Sequence, residues 1–227
     1  MVDESPVVLA RAESPHGETV LRRRGDVTEL VVNGVFAMDT EQTTTEAALA
    51  TLALERLPGD GPLRVCAGGL GLGVTARTLL ADPRVARVDV VELDAALAEW
   101  VRAGLVPGAE GLLADARVRL HVGDVAAVVP ALPAGQLDAV LLDVDNGPEF
   151  LVHDANAPLY RRDFLAAAAA TLRAGGVLAV WSADESPALA AALTAAFGEC
   201  ETVPLPVRRG RHEFRYAVYV ARRTPTV

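Results

Sequence analysis

The densest chemistry-bearing stretch of this sequence is Cys66-Ala67-Gly68-Gly69-Leu70-Gly71-Leu72-Gly73. It follows the apolar run 63–67 and precedes a helical pattern. Glycines between a strand and a helix let the main chain turn sharply and approach a ligand without a Cβ clash. The helix start adds unpaired N–H groups for polar ligand atoms. Glu92 closes the next β-prone run, 23 residues after Gly69. A carboxylate at such a strand tip can accept hydrogen bonds from both hydroxyls of a ribose. Asp124 follows a third run, 118–122. It can meet an adenine amino group or cap the short helix after it, and both only if its two oxygens divide the work. A fourth run ends in Asp143-Val144-Asp145-Asn146-Gly147-Pro148-Glu149. An amine nucleophile must be neutral to attack, so a carboxylate such as Asp143 that takes its hydrogen bond or proton has a physical task.

Two ligand classes compete for the glycine turn. Gly71-Leu72-Gly73-Val74-Thr75-Ala76 formally satisfies the dinucleotide pattern with alanine last. That fingerprint would lie late in the turn, after Gly68-Gly69 has already left the strand. Gly69-x-Gly71-x-Gly73 suits the looser turn of an S-adenosyl donor better. Gly68, Gly69, Gly71, Gly73, Glu92, Asp124 and Asp143 are therefore the candidate donor contacts. Asp143, Asp145 and Tyr160 are the candidates for transfer chemistry at the acceptor. Asn-Gly and Gly-Pro are turn signals, so Asn146 can serve shape alone. Asp94 reads as a helix N-cap, Phe164 as core, and Trp181 as packing near a pocket floor. Asp143, Asp145, His153 and Asp154 lack a recognised ligand spacing, and no metal is expected.

The elements that must position these residues alternate. Strands are expected over 63–67, 88–91, 118–122, 137–142 and 177–181. Helices are expected over 44–57, 73–80, 94–103, 124–129, 160–172 and 186–197. Near-continuous apolar strands between helices imply a parallel sheet covered on both faces. Two late runs, 202–207 and 214–221, flank a short polar loop and so form an antiparallel hairpin. Upstream, 18–22 and 28–32 surround a Gly25-Asp26 turn, and Asn33-Gly34 starts a second turn. Residues 1–17 read as a loose lead-in. The reading is an α/β chain with a Rossmann-like, class I methyltransferase-type fold of five parallel strands and a C-terminal antiparallel hairpin. A small N-terminal β-hairpin element (1–42) precedes the catalytic domain (43–227).

Composition narrows the partners. The 227 residues carry a formal charge of −9, which disfavours nucleic acid, whose binding rests largely on phosphate neutralisation. No run of 18 or more apolar residues appears, so a membrane span is not expected. Cys66 and Cys200 make neither a disulfide framework nor a metal site, and they read as free thiols in a reducing cytoplasm.

Taken together, these residues resemble the spermidine synthase (polyamine aminopropyltransferase) family over most of residues 18–221. The likeness runs through Asn33-Gly34-Val35, Gly68-Gly69-Leu70-Gly71, Val91-Glu92-Leu93-Asp94, Gly123-Asp124, Asp143, Leu159-Tyr160 and Phe164. The resemblance implies a small β-domain before a Rossmann-like catalytic domain. It implies transfer of an aminopropyl group from decarboxylated S-adenosylmethionine to putrescine or another polyamine. Glu92 would hold the ribose, Asp124 the adenine, and Asp143 would stand near the accepting amine. It also implies a dimer or a tetramer, and a homodimer is expected.

Departures from the family pattern shape the expected reaction. Leu70 stands where the family turn has an acid that holds the donor's aminopropyl amine. Thr44-Thr45-Glu46 replaces a Tyr-His-Glu or Tyr-Gln-Glu element, so only Glu46 matches. Asn146 replaces the second acid of the usual Asp-Ser-x-Asp-Pro loop, unless Asp145 takes its place. The leading expectation is methyl transfer from S-adenosylmethionine to a small, amine-bearing acceptor. Aminopropyl transfer from the decarboxylated donor is the alternative, and a nonenzymatic nucleoside-binding homologue is the third reading.

Overall fold

In the computed structural model, residues 5–151, 153–209 and 212–224 are described. Their elements run β1 (Val7–Ser14), β2 (Gly17–Arg24), β3 (Val27–Val32), β4 (Val35–Asp39), α1 (Thr44–Glu55), β5 (Leu63–Gly68), α2 (Val74–Ala81), β6 (Val85–Glu92) and α3 (Ala95–Arg102). They continue β7 (Val118–Val122), α4 (Val125–Ala131), β8 (Leu137–Leu142), α5 (Arg162–Thr171), β9 (Leu172–Ser182), α6 (Pro187–Phe197), β10 (Gly198–Arg209) and β11 (His212–Arg223).

Two sheets result. β1–β2–β3–β4 form an antiparallel sheet in chain order, and a seven-stranded sheet has the order β10-β11-β9-β8-β5-β6-β7. Its five strands from β9 to β7 pair in parallel, and β11 pairs antiparallel with both β9 and β10. The expected α/β architecture, with five parallel strands and a terminal hairpin, is the one observed. β8 is buried at every position, as a strand covered on both faces must be. Its side chains alternate between two cores. Ala139 and Leu141 join the core under α1, α2 and α3, whereas Val140 and Leu142 join the one under α4, α5 and α6.

Three expectations need correction. Residues 7–14 are a strand, not a loose lead-in, and they pair with β2 through a register shift between Val8 and Ala10. β1 is an edge strand with no fully buried side chain, so it lacks the strong apolar alternation that marks a strand. The helix expected over 160–172 begins at Arg162, after a 3-10 segment Asp154–Tyr160 that carries Pro158. The strand expected over 177–181 begins earlier, at Leu172, and takes in Ala174-Gly175-Gly176, where the pairing with β8 shifts register and Gly175 has φ of 79°.

Candidate functional site

β5 sits between β6 and β8, so the glycine turn that leaves it lies between the tips of those two strands. The carboxyl ends of strands in an open parallel sheet are where such folds build ligand sites. A cavity of about 520 Å³ opens there, a size that accommodates a small molecule. Its wall includes Gly69, Gly71, Glu92, Asp124, Asp143 and Asp145. The N-terminal sheet supplies the opposite wall through Leu30, Val32, Phe36 and Met38. The two late strands contribute Val207 and Tyr216, and β9 contributes Trp181.

The glycines answer first to the protein's own packing. Gly69 has φ of 93°, and a Cβ there would lie 2.2 Å from the main-chain oxygen of Asp143. Gly71 has φ of 50°, and its Cβ would lie 2.6 Å from Met38 Sδ. The close approach expected of a ligand is thus already made by the β8 tip and by the N-terminal sheet. Met38 also accepts the Leu72 N–H at 3.3 Å, which ties the turn to β4. Gly68 and Gly73 shape the turn without lining the cavity. A Cβ on Gly68 would sit 3.0 Å from Val125, and one on Gly73 2.8 Å from Leu112.

Glu92 is buried at the end of β6. Its Oε2 accepts the Leu70 N–H and its Oε1 the Asp94 N–H, both at 2.8 Å. Burial raises its pKa, and main-chain donors from Asp94, Leu70 and Gly71 pull the other way. A carboxylate has about four lone-pair sites, so capacity remains for ribose hydroxyls. Asp94 caps α3 by accepting the Ala96 N–H at 2.9 Å, as its position implied. Asp124 Oδ1 caps α4 through the Ala126 N–H at 2.7 Å. Its side chain also lies on the cavity wall, which leaves Oδ2 for a ligand.

Asp143 is half-buried at the β8 tip. The Thr75 hydroxyl, in the first turn of α2, donates to its Oδ2 at 3.2 Å. Burial, then the neighbouring charge of Glu46, pushes its carboxyl up to about 7, against the pull of that hydroxyl. Proton exchange near neutral pH is what a general base needs.

The acidic loop that follows is held by many bonds. Asp145 is buried and accepts from Asn146 N–H at 2.8 Å, Asn156 Nδ2 at 2.8 Å and His153 N–H at 3.3 Å. Glu149 accepts the Ser186 hydroxyl at 2.9 Å, and Ala183 N–H donates to the Asn146 carbonyl at 3.0 Å. His153 Nδ1 lies 3.5 Å from Asn33 Nδ2, which joins the loop to the β3–β4 turn. The side chain of Asp154 lies outside the described residues.

Tyr160, a candidate for the transfer chemistry, does not line the cavity. It is buried in the core beneath the loop, outside the cavity lining, and the Gly147 N–H donates to its hydroxyl. Burial, Asp145 and Asp143 push its pKa up, so it stays a neutral phenol. Phe164 is core, and Trp181 meets Tyr216 edge-on at 4.7 Å in the cavity wall. Thr75, Met38 and Tyr216 were missed as site residues. Only Thr75 had a local signal, a hydroxyl one turn into the helix after the glycines.

Fold and site together define an α/β protein of the Rossmann-like methyltransferase type, with an acid-floored cavity at the strand tips. The spermine/spermidine synthase domain matches residues 30–197, and the chain belongs to that family. A polyamine aminopropyltransferase of Mycobacterium tuberculosis is 31% identical over 181 residues, 76% of this chain and 32% of that protein. Putrescine N-methyltransferase 3 of Nicotiana tabacum is 34% identical over 119 residues, 52% of this chain and 29% of that protein. These matches thus span about a third of the length of those curated relatives. The crystal structure of spermidine synthase from Thermotoga maritima superposes with a TM-score of 0.80 at 17% identity, covering 96% of this chain and 73% of that one.

Proposed function

We propose that the protein transfers an aminopropyl group from decarboxylated S-adenosylmethionine to a small amine. One observation carries the reading. Asp143, a carboxyl poised to exchange protons near neutral pH, lines the same cavity as the glycine turn and Glu92. Glu92 would accept from the donor's ribose, and the free oxygen of Asp124 from its adenine amine. Asp143 takes a proton from the acceptor ammonium. The neutral nitrogen then attacks the carbon bonded to sulfur. A C–N bond forms as the C–S bond breaks, and its electron pair stays on sulfur as a thioether. Positioning supplies much of the rate, because the sulfonium is already a good leaving group. Asp145 and Tyr160 hold the loop that shapes the acceptor end. A cytoplasmic homodimer belongs to the same reading, and light scattering tests the dimer.

Family membership and the mycobacterial relative favour aminopropyl transfer over the methyl transfer that Leu70 first suggested. Methyl transfer remains the second reading for two reasons. Leu70 is an apolar residue in the cavity wall, and the tobacco methyltransferase is a relative. Turnover of putrescine with the two donors side by side, read by chromatography, tests both. An aminopropylated product from the decarboxylated donor alone is expected. A methylated product alone reverses the order of the readings. Donor binding without turnover of any amine leaves a nucleoside-binding homologue.

A further inference from the structure

Glu46 on α1 has no role in the reaction as stated so far, yet it is buried and lines the cavity that Asp143 lines. A buried acid is costly unless its surroundings use it. The Thr45 hydroxyl donates to Glu46 Oε2 at 2.8 Å, which holds the carboxyl on its helix. Thr75 ties the Asp143 carboxyl to the main chain of Glu46. Its hydroxyl reaches Asp143 Oδ2 at 3.2 Å and the main-chain carbonyl of Glu46 at 3.4 Å, sharing one proton between them. α1 is thereby fastened to the β8 tip through the first turn of α2.

We propose that Glu46 is a positioning residue that acts through Asp143. Its carboxylate faces Asp143 as a like charge, so that Asp143 holds a proton more tightly and, once ionised, takes one from an arriving ammonium. The ammonium N–H bond breaks and the proton passes to an Asp143 oxygen. The amine's electron pair is then free for attack, and the Glu46 negative charge stabilises the cation until that moment. The catalytic part of this inference rests on the transfer reading. The link between the two acids does not.

The groups facing Asp143 set the sign. They are Glu46 from α1, the Thr75 hydroxyl from α2, and the neutral Tyr160 phenol below it. A like charge favours the protonated acid, whereas a donated hydrogen bond favours the carboxylate. Removing Glu46 and removing the Thr75 hydroxyl must therefore move Asp143 in opposite directions.

The test follows the acid limb of kcat/KM in the wild type, Glu46→Gln, Glu46→Asp and Thr75→Val. Glu46→Gln is expected to move the limb down by about one pH unit, a like-charge effect. Thr75→Val is expected to move it up, and Glu46→Asp to restore the wild-type limb. A limb unmoved by Glu46→Gln, or moved up, overturns the proposal, since a packing role would lower activity without shifting it. A carboxyl ¹³C titration of the unliganded wild type needs no turnover and no substitution at Glu46 or Thr75. The Asp143 signal, identified by its loss in Asp143→Asn, is expected to titrate in two steps because coupled acids share their protonation. A single step in the ordinary carboxylate range overturns the link. An absence of turnover with every donor and amine, beside a two-step titration, defeats only the transfer reading.

Discussion

Glu92 and Asp143 occupy equivalent places, at the tips of the two strands that flank β5, yet they are prepared for different work. Each is raised by burial. Glu92 is answered by main-chain N–H groups from the glycine turn and from Asp94, fixed donors that engage and orient both of its oxygens. Asp143 is answered by one hydroxyl and opposed by a second acid. The first arrangement suits binding and the second suits proton exchange. What faces a buried carboxyl decides its use more than its depth does.

Three substitutions break or sharpen that contrast. Asp143→Asn should show the largest effect, lowering transfer by about 10²- to 10⁴-fold, the usual range for a general base. Donor affinity measured by calorimetry should barely change. Transfer at the wild-type rate would remove Asp143 from the mechanism. Glu92→Ala should weaken donor binding by roughly tenfold or more, the reciprocal result. It should also cost about 1–3 kcal/mol for each main-chain donor left unpaired, read by urea denaturation. Unchanged donor affinity would end its ribose assignment.

Gly69→Ala strikes the main chain on which both acids depend. Its Cβ would meet the Asp143 carbonyl from a left-handed backbone, and a loss of about 1–3 kcal/mol is expected. A variant that melts with the wild type would show that the turn has room after all.

The smallest effect is a stability difference with a definite sign. The raised carboxyl of Asp143 means that the folded state binds its proton more tightly than the unfolded chain does. Its contribution to stability is therefore fully present below the unfolded value of about 4 and is lost as pH rises toward 7. Asp143→Asn should melt above the wild type at pH 8, with the gap closing as pH falls to 4. A constant gap would contradict the raised value.

Much of this was readable in the chain. Strands 63–67, 118–122 and 137–142 could be seen as apolar runs, and each ends beside a residue that now lines the cavity, namely Gly69, Asp124 and Asp143. Asp94 was recognisable as a cap because capping is a matter of two or three residues. The place of Tyr160 was not readable, for the opposite reason. A tyrosine at a helix start can face the cavity or the core, and here the Gly147 N–H and the core beneath the loop take it. β1 escaped notice because an edge strand of mixed polarity is defined by its partner, not by its own pattern.

By itself the sequence determined the strand–helix alternation from β5 onward, the turn after β5 and the carboxylates at the strand tips, since periodicity and turn chemistry act over a few neighbouring residues. Only the tertiary structure decided that Met38 would press on Gly71, that Tyr160 would sit behind the loop, and that Glu46 would face Asp143 across 97 positions of chain. Such pairs meet through packing between distant elements, and nothing in the local pattern of either partner encodes the meeting.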